Sequence, residues 1–105
     1  MKAIAAVVAA VAVLGFSVQA QAQDGEGLAK SSGCLACHTV DKKLVGPAYK
    51  EVAAKYRGDK NAAETLFKKV KEGGKGNWGD IPMPPNAHVK DPDIKTIVAW
   101  ILTLK

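Results

Sequence analysis

Histidine and cysteine are scarce in this 105-residue chain, two of each, and aromatic residues make up only 6% of it. So few metal-binding side chains exclude a closed zinc site, which needs further cysteine or histidine at ligand spacing. No segment alternates apolar and polar residues as a half-buried strand does, so a sheet-built fold is excluded and an all-α chain remains. A stacking motif for bases is also missing, which argues against nucleic acid as a partner. Acidic residues are outnumbered, 10 against 15 basic ones, for a net charge of +5. No apolar run reaches the roughly 20 residues that a membrane-spanning helix needs.

The longest apolar run, Ala3 to Val18, follows Lys2 and precedes Ala20-Gln21-Ala22. A basic start, a short apolar stretch and a small-residue site together read as a secretory signal peptide. The expected division is therefore a cleaved segment 1–22 and a single domain 23–105. Cleavage after Ala20 is the close rival, and an uncleaved anchor is the alternative. Removing Lys2 lowers the positive charge by one, and the modest balance left suits an acidic protein partner. A domain this small buries little apolar surface and needs a staple.

The staple is written in Cys34-Leu35-Ala36-Cys37-His38. Two cysteines three apart with histidine directly after form the attachment signature of a c-type haem. On one helical turn, positions i and i+3 share a face, so both thiols can reach one flat macrocycle. Each thiol adds to a vinyl group and becomes a thioether, and His38 is carried round to meet the iron. A redox dithiol, or a disulfide in an oxidising compartment, is the competing use of the pair.

Four or five short helices are expected. Asp24 to Ser32 reads as a weak helix leading into the motif, with Asp24 and Glu26 near its start and Lys30 near its end. Pro47 opens a second at its first position, with the stripe Tyr49, Val52, Ala53, Tyr56 and a stop at Gly58. Asp59 or Asn61 caps a third, with the stripe Ala63, Leu66, Phe67, Val70, closed by Gly73-Gly74. Asp91 as N-cap and Pro92 at the first position start the last, which runs on Ile94, Ile97, Val98, Ile101 and Leu104.

Lys75 to Lys90 is longer than the 12–15 residues or so beyond which a loop is usually functional or disordered. It holds Trp78, Ile81, Met83 and His88, too apolar a set for a linker. Met83 stands in Ile81-Pro82-Met83-Pro84-Pro85 and is the only methionine beyond the signal segment. Burying its flexible side chain costs about 1.5–2 kcal/mol in lost rotamers. Flanking prolines reduce what the backbone loses on ordering and remove N–H groups that would need partners. Met83 is the candidate sixth ligand of the iron. His88, among polar residues, is its competitor, and a core filler is the ordinary fate of a methionine.

With these residues assembled, the chain resembles a small class I bacterial cytochrome c of the c-551/c-552 type. The resemblance rests on Cys34–His38, on Val45-Gly46-Pro47-Ala48-Tyr49, on Trp78-Gly79 followed by Ile81-Pro82-Met83-Pro84-Pro85-Asn86, and on the last helix with Trp100. It implies an all-α fold of four to five short helices wrapped around one haem c, held by Cys34 and Cys37, with His38 and Met83 as axial ligands. It further implies that the Pro47 carbonyl accepts the other ring N–H of His38. By the same resemblance Trp78 donates to a haem propionate, Lys69 is its basic neighbour and Asn86 bonds near the Met83 sulfur. The exposed haem edge would be ringed by Leu35, Ala36, Leu44, Val45, Ile81 and Pro84, flanked by Lys30, Lys42 and Lys43.

The implied function is electron transport in a respiratory chain by a monomeric, periplasmic carrier that is not an enzyme and has no stable membrane insertion after processing. Its donor would be a quinol-oxidising complex, and its acceptor nitrite reductase or a terminal oxidase. A ligand sensor or enzyme in which Met83 is displaced is the rival class.

Overall fold

The computed structural model describes residues 18–105. Residues 1–17 of the expected export segment lie outside the described residues, and both expected cleavage points fall on the first turns of α1. Four helices follow in order: α1 (Val18–Ser31), α2 (Tyr49–Lys55), α3 (Ala62–Glu72) and α4 (Asp91–Leu102), with a 3-10 turn at Cys34–Ala36. Among the described residues there is no strand, only an isolated antiparallel bridge between Gly74 and Met83. The all-α expectation is met.

Each helix departs a little from its expected limits, for a local reason. α1 begins upstream of Asp24 because Gln and Ala in VQAQAQ are good helix formers. Asp24 and Glu26 therefore sit within it, while Lys30 occupies the last turn as expected. Gly33, at φ 84°, turns the chain out of α1, a conformation that suits glycine. α2 starts at Tyr49, two residues after Pro47, because two of its first donors are met by the preceding loop. The Tyr49 N–H donates to the Thr39 carbonyl (2.9 Å) and that of Lys50 to Val40 (3.1 Å).

In α3 the buried face is Ala62 and Leu66, with Phe67 and Val70 packed against the core; Ala63, expected inside, is exposed. The helix starts at Ala62, so the face is set one position earlier than the stripe alone suggested. Asn61 is its N-cap, and Asp59 accepts the Asn61 N–H at 2.8 Å, so both expected residues build the start. In α4 the N-cap is Lys90, one residue before the expected Asp91. Asp91 instead forms an ion pair with Lys71 of α3, while Asp91 and Asp93 still face the positive helix end.

α4 is the axis of the domain and packs on each of the other three helices. Ile94, Ile97 and Val98 are its most completely buried side chains. Each aliphatic chain so buried contributes about 1.5–3 kcal/mol. α1 crosses α4 at Gly25, where a Cβ would lie 2.9 Å from Cγ of Trp100 and 3.1 Å from the Thr96 carbonyl oxygen. Glycine is thus the condition for the close crossing. At Gly27, on the same helix, a Cβ would meet nothing.

The two glycines should respond oppositely to alanine. Gly25→Ala should lower stability by about 1–3 kcal/mol, because forced overpacking outweighs the helix propensity gained. Gly27→Ala should raise it by up to about 1 kcal/mol. Thermal unfolding of the two variants checks both, and equal effects would refute the crossing argument.

Candidate functional site

The 3-10 turn at Cys34–Ala36 brings residues 34 and 37 to one side, since three residues complete a turn. The N–H groups of Cys37 and His38 both donate to the Cys34 carbonyl, at 3.2 and 3.1 Å. Behind the turn, segments 37–40 and 46–50 are laced together, with the Gly46 N–H donating to the Cys37 carbonyl at 2.7 Å. That lacing sets His38 against Gly46 and Pro47. The His38 Nδ1 lies 2.8 Å from the Pro47 carbonyl oxygen. A carbonyl only accepts, so Nδ1 carries the proton and Nε2 keeps a lone pair.

Gly46 approaches so closely that any Cβ there would enter the imidazole ring. The ring also stacks on Tyr49, centroids 4.9 Å apart and planes 20° off parallel. Tyr49 is in turn packed edge-on against Trp100 at 5.5 Å.

Cys37, His38, Gly46, Pro47 and Tyr49 form one wall of a cleft of about 1070 Å³, counting the part open to solvent. Its floor is apolar, built by Val52, Leu66, Ile97, Val98 and Ile101 from three helices. The opposite wall is the long loop, with Met83, Pro82, Pro84 and Trp78. Met83 is half-buried, and its backbone is fixed by two hydrogen bonds with Gly74, 2.7 Å from its N–H and 3.0 Å to its carbonyl.

Six of the eight expected site residues line this cleft: Cys37, His38, Pro47, Lys69, Trp78 and Met83. Cys34 lies just behind the wall, half-buried, with its sulfur against the Tyr49 hydroxyl. Asn86 is placed differently from expectation. Its amide donates to the Val70 and Pro84 carbonyls, at 3.1 and 3.2 Å, rather than to the Met83 sulfur. Carbonyls in the last turn of a helix such as α3 have no partner within it, and Asn86 supplies one. His88 is exposed and stands off the cleft wall.

At the rim, Val45, Ile81 and Pro84 reach the cleft, whereas Leu35, Ala36 and Leu44 do not. In the sequence Gly46 and Tyr49 carry a motif and a helix stripe, not a visible role in the site. Nothing in a linear pattern shows a glycine to be a spacer for a ring.

The site's chemistry suits a flat, largely apolar group with a metal at its centre. It offers an imidazole lone pair, a soft thioether, the Cys37 thiol with that of Cys34 on the same turn behind it, and an apolar floor. Among the described residues no buried side-chain nitrogen or oxygen lacks a hydrogen bond, so the floor presents no orphan polar atom. A redox dithiol fits less well. Burial, the largest influence, pushes the Cys34 thiol up, although the Tyr49 hydroxyl acts the other way. Activated thiols are shifted downward.

Comparison with known proteins agrees with this geometry. The family profile "Cytochrome c" matches residues 22–105. Cytochrome c-551 of Allochromatium vinosum is 62% identical over 77 residues, which is 73% of this chain and 82% of that protein. Cytochrome c-551 of Azotobacter vinelandii is 54% identical over 83 residues, 79% of this chain and 100% of that protein. The crystal structure of wild-type Nitrosomonas europaea cytochrome c552 is similar at a TM-score of 0.74 and 54% identity. It covers 76% of this chain and 99% of that one.

The buried Tyr49 gives the site a testable alkaline limit. Burial, the largest cause, drives its phenol far above the ordinary value of 10.0. The folded protein holds this proton more tightly than the unfolded chain does. The stability so conferred is complete below pH 10 or so and falls by about 1.4 kcal/mol per pH unit above it. Phenolate absorbance from Tyr49 should therefore appear only together with unfolding, and Tyr49→Phe should remove that part of the alkaline loss. A phenolate signal from Tyr49 in the folded protein would contradict the assignment.

Proposed function

The chain belongs to the cytochrome c family, and from that premise we propose that it is a periplasmic single-electron carrier with its iron held between His38 and Met83. Proteins of this family carry one covalently attached haem c and work in electron transfer with redox partners. When bound, haem c supplies one-electron chemistry, its iron passing between ferrous and ferric states.

The chain's own residues divide the remaining work. Cys34 and Cys37 provide the two thioether tethers. Pro47 fixes the tautomer and orientation of His38 and raises its basicity as a ligand. Met83 presents a soft, neutral sulfur that favours the ferrous state and raises the potential. Trp78 donates its indole N–H to a propionate, with Lys69 as a nearby positive charge.

The observation that carries this reading is the meeting of Cys37, His38 and Met83, from two distant stretches of sequence, on one apolar cleft. With His38 and Met83 both on the iron, no position would be left for oxygen or peroxide, so we place the chain among carriers rather than enzymes.

Residues 1–22 are the export segment and 23–105 the mature, monomeric domain. No helix among the described residues is long and apolar enough to cross a membrane. Docking uses the apolar rim, where Val45 and Ile81 are 47% and 65% exposed, together with the neighbouring Leu44, 51% exposed. Lys30, Lys42 and Lys43 are exposed and form no ion pair among the described residues. They steer an acidic partner, with a quinol-oxidising complex as donor and nitrite reductase or a terminal oxidase as acceptor.

Mass analysis of the protein exported from a host that matures such proteins should show residues 23–105 plus one porphyrin. Absence of the added mass would end the carrier reading. Met83→His should lower the midpoint potential and keep the iron six-coordinate, whereas Met83→Ala should lower it and admit carbon monoxide. If neither variant changes potential or carbon monoxide reactivity, Met83 is not a ligand. For steering, Lys42→Glu and Lys43→Glu should slow bimolecular electron transfer at low ionic strength and flatten its salt dependence, and unchanged rates would rule that role out.

A further inference from the structure

Lys55 is the last residue of α2, and its charge is used in an unexpected place. Glu51 stands four residues earlier on the same helix, the spacing and order that favour an ion pair. Lys55 nevertheless forms no ion pair among the described residues. Its ammonium instead crosses to the long loop and lies 4.7 Å from the centroid of the Trp78 ring. The same nitrogen donates to the Asn77 carbonyl oxygen at 3.4 Å, one residue before that ring. Two contacts from one ammonium therefore converge on the loop tip.

The tip has little else to hold it. Gly76 and Gly79 flank it at positive φ, 96° and 114°. Within the loop, the Gly76 N–H donates to the Gly79 carbonyl at 2.9 Å, and the next ties are those at Gly74 and Met83. Trp78 lines the cleft yet is 38% exposed, so burial alone does not set its orientation. A cation over an indole face is an attraction with a direction, strongest over the ring centre. It holds the ring plane as well as the position.

We propose that Lys55 is the positioning residue for Trp78: its ammonium, on the indole face and on the Asn77 carbonyl, sets the angle at which the indole N–H faces the cleft mouth. The inference rests on the reading of Trp78 as a hydrogen-bond donor to the bound group, and it adds that the donor is aimed from α2. The glycines then serve a purpose, letting the tip follow Lys55 rather than the strain of its own turn.

The test uses the haem-loaded, reduced protein and hydrogen exchange of the two tryptophan indole N–H groups, read by NMR. Trp100, buried in α4, is the internal reference. Lys55→Met should speed exchange at Trp78 by roughly fivefold and leave Trp100 unchanged. Lys55→Arg, which keeps a cation able to stack on an indole, should restore slow exchange. Glu51→Gln should have no effect. A protected Trp78 N–H that Lys55→Met leaves protected overturns the role of Lys55 while leaving the Trp78 reading in place. An unprotected Trp78 N–H in the wild-type protein overturns both.

Discussion

The imidazole of His38 is the fixed point of this structure. A carbonyl holds one nitrogen, the missing side chain of Gly46 lets the backbone press on the ring, and Tyr49 stacks on it from the core. Gly46, Pro47 and Tyr49 lie within four consecutive residues, so a single short segment removes the ring's freedom and defines which nitrogen keeps its lone pair. The lacing of 37–40 onto 46–50 makes this arrangement possible. It also sets the start of α2, because the carbonyls that meet its first donors come from the loop following the CxxCH turn. His38 and the helix behind it are therefore placed by the same hydrogen bonds.

The facing wall is built on another plan. Residues 73–90 contain no helix, and their order comes from a few ties near the ends: the Gly74–Met83 pair, Asn86 on the last turn of α3, and the Lys71–Asp91 ion pair between the flanking helices. The ion pair is partly exposed and on its own is worth no more than about 1 kcal/mol. Prolines at 82, 84 and 85 reduce the entropy lost when Met83 is presented and leave few donors to satisfy against an apolar surface. Asn86 belongs to this scheme as a staple between loop and helix. A soft thioether on a flexible stem is in this way carried by a backbone that has little freedom left.

Between the walls lies α4, the most apolar helix of the described chain, which supplies Ile97, Val98 and Ile101 to the cleft floor and Trp100 to the far side. Its crossing with α1 at Gly25 brings the N-terminal helix close enough to cover the core from behind. Charge is kept to the periphery, with no polar or charged side chain among the buried residues described. The cleft can thus take a largely apolar group.

Much of this was legible in the chain itself. The haem signature, the proline-framed Met83 and the helix stripes are local patterns, set by periods of three to four residues and by proline and glycine chemistry, and they needed no partner to be read. The start of α1 moved six residues upstream, and that of α4 and the inward face of α3 by about one, because propensity upstream of Asp24 and the ion pair drawing Asp91 away from capping compete with those patterns. What only the tertiary structure decided are relations between distant segments: Gly46 as the spacer for His38, Tyr49 as its backing, Asn86 on Val70, and Lys55 over Trp78 in preference to Glu51. Each depends on which surfaces meet once the helices pack, and linear order records the residues available for such contacts but not the distances between them.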